Sequence, residues 1–423
     1  MSFIKKKVHI VGGGFSGLSL GYYLARVGVP VEIFEKSNRL GGLISTLKFD
    51  WGYVETAANG LIGSPLVDEL FRDLQLEYAE RPAHSTRARY IFRNRPRSWP
   101  LSGLENIRFA RGLIRTVSGA ARATDLTARD WVSQNFGVAA FDYLIGPALQ
   151  GVMGTDDVAA ETLVDYVRGA FANRRQSRQS TNKRHIRRGT VSPRHGMGEL
   201  ISALARRFEE LGGIVHLNTS GEWRDNAIMV LAVPAHAAST VLGDRMPELS
   251  QKLSSIDYLP ITTATVSFGR ATDSKGKENV TNGFGCLFPQ REKFYSSGVL
   301  FASSIFERPG QVGNSYETWL LRGGDDESDE STLKKIGNDR ARLTKAGAEP
   351  SPKNFKITRW SKALPQYNLK LRATLDDLTK ILSRDRGGSP VYLTGNYLGQ
   401  IGLARILAHN FDLARQIHDE ISK

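Results

Sequence analysis

Apolar and polar positions follow two periods along this chain, and the first forty residues show both. Lys7-Val8-His9-Ile10-Val11 is a short β-branched run that predicts a buried parallel strand. From Leu18 to Val27 apolar residues recur at helical spacing, with Leu18, Tyr22 and Ala25 on one line and Leu20, Tyr23 and Leu24 beside it. Val31-Glu32-Ile33-Phe34 reads as a second strand, ended by Glu35. Much later, Leu200, Leu204, Phe208 and Leu211 mark a helix that Gly212-Gly213 stops. Buried strands are predicted after it, at Ile214–Leu217 and Ala227–Val233, the second closed by Pro234.

The pattern changes in the middle of the chain. Strict alternation at Pro260–Phe268, Val299–Phe306 and Tyr316–Arg322 predicts a separate antiparallel sheet, whereas 82–188 is mainly helical. Val391-Tyr392-Leu393-Thr394 is a last strand, leading through Gly395, Gly399 and Gly402 into a final helix. The organisation expected is a discontinuous first domain (1–80, 190–255 and 355–423), an antiparallel-sheet domain (256–354 with part of 81–100) and a helical domain (100–189).

Composition limits what such a chain can be. Its 423 residues suit two or three domains, and 40% hydrophobic with 24% charged residues is an ordinary globular balance. The single Cys286 excludes an intramolecular disulfide and a cysteine-based zinc site, and it fits a reducing, cytoplasmic setting. No apolar run approaches the roughly 20 residues needed to span a bilayer. Lys5, Lys6 and Lys7 precede an apolar stretch that breaks at Gly12–Gly14, which does not read as a signal peptide.

The net charge of +14 suggests an anionic partner. Half of it lies in Asn173–Arg188, read most simply as a solvated loop, as is the acidic run Gly324–Ser331. Nucleic acid is not expected, because the basic runs lack a recognition module. Leu101–Val117 interleaves apolar residues with Arg108, Arg111 and Arg115. That pattern suits either a core-facing helix or one lying on an anionic membrane surface.

The first strand runs directly into Gly12-Gly13-Gly14-Phe15-Ser16-Gly17, giving GxGxxG at Gly12, Gly14 and Gly17. With strand, helix, second strand and Glu35 in place, this is a complete dinucleotide-binding unit. Gly12 permits the turn, Gly14 lets backbone approach a pyrophosphate, and Gly17 lets helix meet strand. Phe15 and Ser16 stand at the helix N-terminus, and Glu35, beside Lys36, would accept hydrogen bonds from ribose hydroxyls. Arg39-Leu40-Gly41-Gly42-Leu43 offers a second bare loop to the phosphates, with Arg39 as counter-charge.

At this second loop the sequence resembles the flavoproteins with two dinucleotide-binding domains, among them amine oxidases, phytoene desaturases and protoporphyrinogen oxidases. The resemblance implies FAD as cofactor. It also implies an α/β fold: a Rossmann-like FAD-binding domain of amine-oxidase type, an inserted antiparallel-sheet substrate domain and a membrane-contacting helical domain. It places Val215 at the adenine, Trp360 at the flavin border, and Gly395 and Gly402 in the C-terminal flavin loop.

Three segments look most like the protoporphyrinogen oxidase family: Arg359-Trp360-Ser361-Lys362-Ala363-Leu364-Pro365-Gln366-Tyr367, Gly283–Pro289 with Gly298–Phe306, and Arg89-Tyr90-Ile91-Phe92. The family's C-terminal flavin loop is replaced here by Gln400-Ile401-Gly402-Leu403-Ala404-Arg405.

This resemblance implies oxidation of a porphyrinogen, protoporphyrinogen or coproporphyrinogen, in haem biosynthesis. Dioxygen would be the acceptor, and a peripheral position on the inner face of the membrane would suit the poorly soluble substrate. Hydride would pass to the flavin, so no catalytic side chain and no metal are expected. A porphyrinogen needs an apolar slot with a cationic end. Arg87, Arg89, Arg93, Arg95 and Arg97 would share one face of an extended strand, with Arg89 the candidate for a propionate. Phe301, and then Leu287 and Phe284, are candidates for the wall. An amine oxidase, an isoprenoid desaturase and a non-catalytic porphyrin carrier stay open as alternatives, and so does a homodimer.

Overall fold

The computed structural model describes residues 7–83, 85–118, 122–168, 187, 189–268, 282–311, 315–322, 327–345, 352–384 and 391–422. Five strands form a wholly parallel sheet in the order Val391–Leu393, Ile228–Leu231, Val8–Val11, Val31–Phe34, Ile214–His216. The inner strands Val8–Val11 and Ile228–Leu231 are short and fully buried because both faces are covered. Ile214–His216, expected to be buried, is an edge strand with Ile214 exposed. Ile228 and Val230 enter one core with the helices Phe15–Arg26, Met197–Glu210 and Leu403–Ile421. Met229 and Leu231 enter a second core with the helical segments 128–163 and 369–384.

The second sheet has seven strands: Asn354–Pro365, Tyr258–Ser267, Glu317–Leu321, Ser296–Leu300, Gly285–Leu287, Arg89–Phe92, Pro96–Arg97. All its pairs are antiparallel except one, where Arg89–Phe92 runs parallel to Gly285–Leu287. The helix Asp329–Thr344 and a third core built on Cys286, Val299 and Trp319 cover one face.

Several expectations change. The strand Asn354–Pro365 pairs along the whole of Tyr258–Ser267, so the first domain resumes after Pro365 rather than at 355. The strand expected at Val299–Phe306 ends at Leu300, and Ala302–Ile305 is a short helix. The acidic run does not end as a loop. Ser328 caps the Asp329–Thr344 helix, and Asp329 and Glu330 lie in its first turn, where the helix end favours negative charge.

Alternation of the five arginines stops at Phe92, because Asn94 turns with φ 59°. Beyond that turn Arg93 pairs with Glu105, and Arg97 donates to the Arg93 carbonyl. The basic run Asn173–Arg188 lies outside the described residues except for Arg187, which pairs with Glu80.

The Gly103–Val117 helix does not turn most of its apolar residues to the core, as the first of its two readings expects. Leu101 and Gly112 face inward, whereas Leu104 is 82% and Ile114 69% exposed, with Ile107 and Leu113 also exposed. Among the described residues no helix is long and apolar enough to cross a membrane.

Candidate active site

Each glycine of the first loop is bare for a different reason. Gly12 has φ +106°, and a Cβ there would lie 2.7 Å from the Ala232 oxygen. A Cβ on Gly17 would stand 1.9 Å from the Gly12 oxygen, so the helix meets the strand only because position 17 has none. At Gly14 a Cβ would meet nothing but the Gly42 Cα, 3.9 Å away, so bare backbone faces open space. Gly14 is also the N-cap of Phe15–Arg26, and no side chain caps that end. The first-turn N–H groups beside half-buried Ser16 are therefore available to an anion, while Phe15 is buried beneath them.

The second glycine loop closes this cradle. Gly41 N–H donates to the Gly13 carbonyl at 2.8 Å, and Gly14 and Gly41 form a parallel bridge. Two backbones without side chains thus face one space at an uncapped helix end, which fits a dinucleotide pyrophosphate. Glu35 anchors the arrangement. Its Oε2 accepts from Gly13 N–H at 2.8 Å, and its Oε1 accepts from Ser37 N–H at 2.9 Å and Oγ at 2.8 Å. Oε2, with a single donor, keeps acceptor capacity for a ribose hydroxyl.

Arg39 corrects the sequence reading. Its guanidinium donates to the carbonyls of Leu40, Gly42 and Ile44, so it shapes its own loop rather than reaching out as a counter-charge. Lys36 is exposed beside the cradle. Val215 lies in the edge strand in register with Ile33, and the next residue, His216, stacks on Phe34 with centroids 4.6 Å apart.

A hydrogen-bond chain joins the cradle to the second sheet. Thr56 Oγ1 donates to the Leu43 carbonyl at 2.6 Å, and Trp360 Nε1 donates to the Thr56 carbonyl at 2.7 Å. Trp360 therefore stands where the long strand meets the nucleotide domain. The C-terminal loop arrives from the other side. Gly395 (φ 151°) and Gly402 (φ 89°) bracket it, and Gly402 begins the Leu403–Ile421 helix without a side-chain cap. Buried Asn410 holds that helix by donating to the Ser16 carbonyl and Ser19 Oγ, both at 2.8 Å.

The face of the second sheet turned away from the third core is only partly covered: the helix Gly146–Met153 reaches Leu287, and Leu300 packs near Ile305 and Phe306. Register aligns Arg89, Gly285, Leu300 and Thr318 in one row, and Ile91, Leu287, Gly298 and Leu320 in the next row on the same face. Leu287, Leu300 and Leu320 are half-buried, and each row carries a glycine, which lowers the face. Residues between the rows turn to the third core. Phe301 joins them there at 4% exposure, so its ring is core and not wall.

Arg89 closes one end of this apolar face. Its guanidinium lies 4.0 Å from the Phe284 ring centroid and donates to Thr190 Oγ1 at 3.1 Å. Its surface is open to solvent, yet loss of hydration lowers its pKa below the ordinary value, with Tyr166 opposing that shift.

Sequence reasoning missed the parts that assemble the site. Thr56, Asn410, Thr190 and Tyr166 carry no motif. Nor does the buried pair of Arg308 and Glu55, 3.5 Å apart, in which Glu55 also accepts from Met197 N–H at 3.0 Å. The proximity of such residues arises from chain segments far apart in sequence, so no local pattern marks them.

Residues 15–220 match the family of flavin containing amine oxidoreductases. The chain is 24% identical to protoporphyrinogen oxidase 2, chloroplastic/mitochondrial, of Arabidopsis thaliana, with 95% of this chain and 92% of the relative covered. It is 25% identical to coproporphyrinogen III oxidase of Mycobacterium bovis, with 93% of each covered. Among solved structures, reduced UDP-galactopyranose mutase matches with a TM-score of 0.70 at 12% identity, covering 100% of this chain and 95% of that one. The likeness shows a shared fold, and a fold by itself does not choose the reaction.

Proposed function

We propose that this protein, a flavin oxidoreductase with the FAD-binding fold of the amine oxidoreductases and FAD as its cofactor, oxidises a porphyrinogen to the porphyrin. The substrate in this reading is protoporphyrinogen IX or coproporphyrinogen III, the acceptor is dioxygen, and the setting is haem biosynthesis. Relatives bearing both names support it. The observation that carries it is the pairing of a half-buried leucine face with the guanidinium of Arg89 at its edge, which no carboxylate meets among the described residues. That combination suits a large apolar macrocycle with peripheral carboxylates.

The residues divide the work by position. The two glycine loops, Glu35 and the uncapped helix ends would hold the dinucleotide, and FAD, when bound, supplies the hydride acceptor. Leu287, Leu300 and Leu320 would exclude water from the macrocycle's face, with Phe284 and Arg89 orienting its acidic edge. Trp360, tied to Thr56, fixes the spacing between the two halves.

The outward face of Gly103–Val117 supports contact with an anionic membrane surface. Leu104, Ile107 and Ile114 are exposed on the same side as Arg108, Arg111 and Arg115.

Yellow purified protein should be mixed with each porphyrinogen and followed by porphyrin fluorescence against an enzyme-free control. Fluorescence rising faster than the control, with peroxide formed, supports the proposal. Rates equal to the control for both substrates would overturn it.

A further inference from the structure

We propose that Arg81 and Arg87 extend Arg89 into a second carboxylate-binding subsite that favours substrates with four peripheral carboxylates over those with two. The inference rests on the porphyrinogen reading above and concerns which porphyrinogen the mouth selects.

The segment 81–89 folds back on itself. Ser85 N–H donates to the Pro82 carbonyl at 2.9 Å, closing a turn, and Arg81 Nη1 donates across it to the Thr86 carbonyl at 2.8 Å. The far arm is fixed to the second sheet, where Thr86 N–H donates to Asn282 Oδ1 at 2.8 Å and Phe284 N–H to the Ala88 carbonyl at 2.7 Å. Arg87 is exposed two residues before Arg89, where the strand begins. The turn brings Arg81 against the same arm.

Charge pairing separates these three from their neighbours. Nearby Arg187 is matched by Glu80 at 2.7 Å and Arg194 by Glu77 at 2.6 Å. Among the described residues no carboxylate pairs with Arg81, Arg87 or Arg89. Arg81, held against the Thr86 carbonyl, stands between the other two: Arg87 helps depress the pKa of Arg81, and Arg81 that of Arg89, in both cases after loss of hydration. Like charges gathered without a counter-ion repel, and a protein that merely needed surface charge would spread them. An anion with carboxylates on neighbouring edges relieves that repulsion, because each guanidinium can take one carboxylate bidentately. A dicarboxylic ring can pair at most two of the three guanidiniums and leaves one unmatched, whereas a tetracarboxylic ring has a carboxylate for each.

The test uses FAD-loaded parent, Arg87→Gln, and the double variant Arg81→Gln/Arg87→Gln, with coproporphyrinogen III and protoporphyrinogen IX as substrates. Arg87 is exposed, so its single variant keeps the fold, and flavin absorbance checks each preparation. We expect kcat/KM for coproporphyrinogen III to fall about tenfold in the double variant, through KM, while protoporphyrinogen IX changes less than about twofold. Added salt should reduce the parent's preference and leave the double variant's unchanged. Equal losses on both substrates, or none on either, would overturn this subsite and leave the porphyrinogen reading standing. Parent protein that oxidises neither substrate overturns that reading itself.

Discussion

Arg405 donates through Nη2 to the Tyr166 carbonyl oxygen at 2.7 Å, and its guanidinium carbon lies 5.1 Å from the centroid of the same tyrosine's ring. It also reaches the Asp165 carbonyl at 3.1 Å, so one side chain from the last helix holds two carbonyls of the segment carrying Tyr166. The C-terminal loop, which departs from the protoporphyrinogen oxidase pattern at Arg405, is thereby tied to the segment that carries Tyr166.

Replacing Arg89 by Ala should raise the porphyrinogen KM by roughly 10–100-fold, the worth of a charge-assisted pair of about 1.5–3 kcal/mol, with FAD content intact. Arg405→Gln should raise KM in the same direction by a smaller factor, because it releases Tyr166 rather than a substrate contact. Steady-state kinetics on flavin-matched preparations measure both. Arg89→Ala kinetics equal to the parent's would remove Arg89 from the site.

Gly14 and Gly17 should fail in opposite ways. Gly14→Val places its side chain in open space, so the apoprotein should unfold at the parent's temperature yet purify colourless. Gly17→Ala sets a Cβ 1.9 Å from the Gly12 oxygen and should destabilise the fold itself. Thermal unfolding of apoprotein and visible absorbance separate the two, and a yellow Gly14→Val protein contradicts the cradle.

Glu105 should give the Gly103–Val117 helix an acid-sensitive anchor. Its carboxylate accepts both Arg93 guanidinium nitrogens, at 2.7 and 3.0 Å, and Ser102 N–H at 2.7 Å. The Arg93 hydrogen bond, chiefly, lowers its pKa from 4.5 to about 2. Because the folded value lies below the unfolded one, the stabilisation is present above about pH 4.5 and fades as the pH falls towards about 2. Glu105→Gln should therefore cost up to roughly 3 kcal/mol near neutrality, with parent and variant converging in acid. Urea unfolding across that range measures the gap, and a gap that stays constant in acid would assign it to packing.

The exposed stripe of the same helix should bind anionic vesicles. Parent protein should sediment with phosphatidylglycerol liposomes at low salt. Leu104→Ser/Ile107→Ser/Ile114→Ser should stay in the supernatant with its flavin retained. A parent that does not sediment defeats the membrane proposal.

What the sequence by itself determined is local or periodic. The glycine loop at 12–17, Glu35 at the end of the second strand and the alternating strands from 260 onwards each follow from spacing within a few dozen residues. So does the parallel sheet, whose short apolar strands announce burial on both faces. Resemblance added the cofactor.

The tertiary structure decided which of several similar residues is free. Alternation grouped five arginines, yet a turn at Asn94 sent Arg93 to Glu105 and left Arg89 over Phe284. Helical period left Leu104 either core-facing or on a membrane surface, and resemblance made Phe301 a wall candidate; packing exposed the first and buried the second. Whether a charge is matched, or an apolar side chain covered, depends on neighbours that are remote along the chain. That information exists only once the segments have packed.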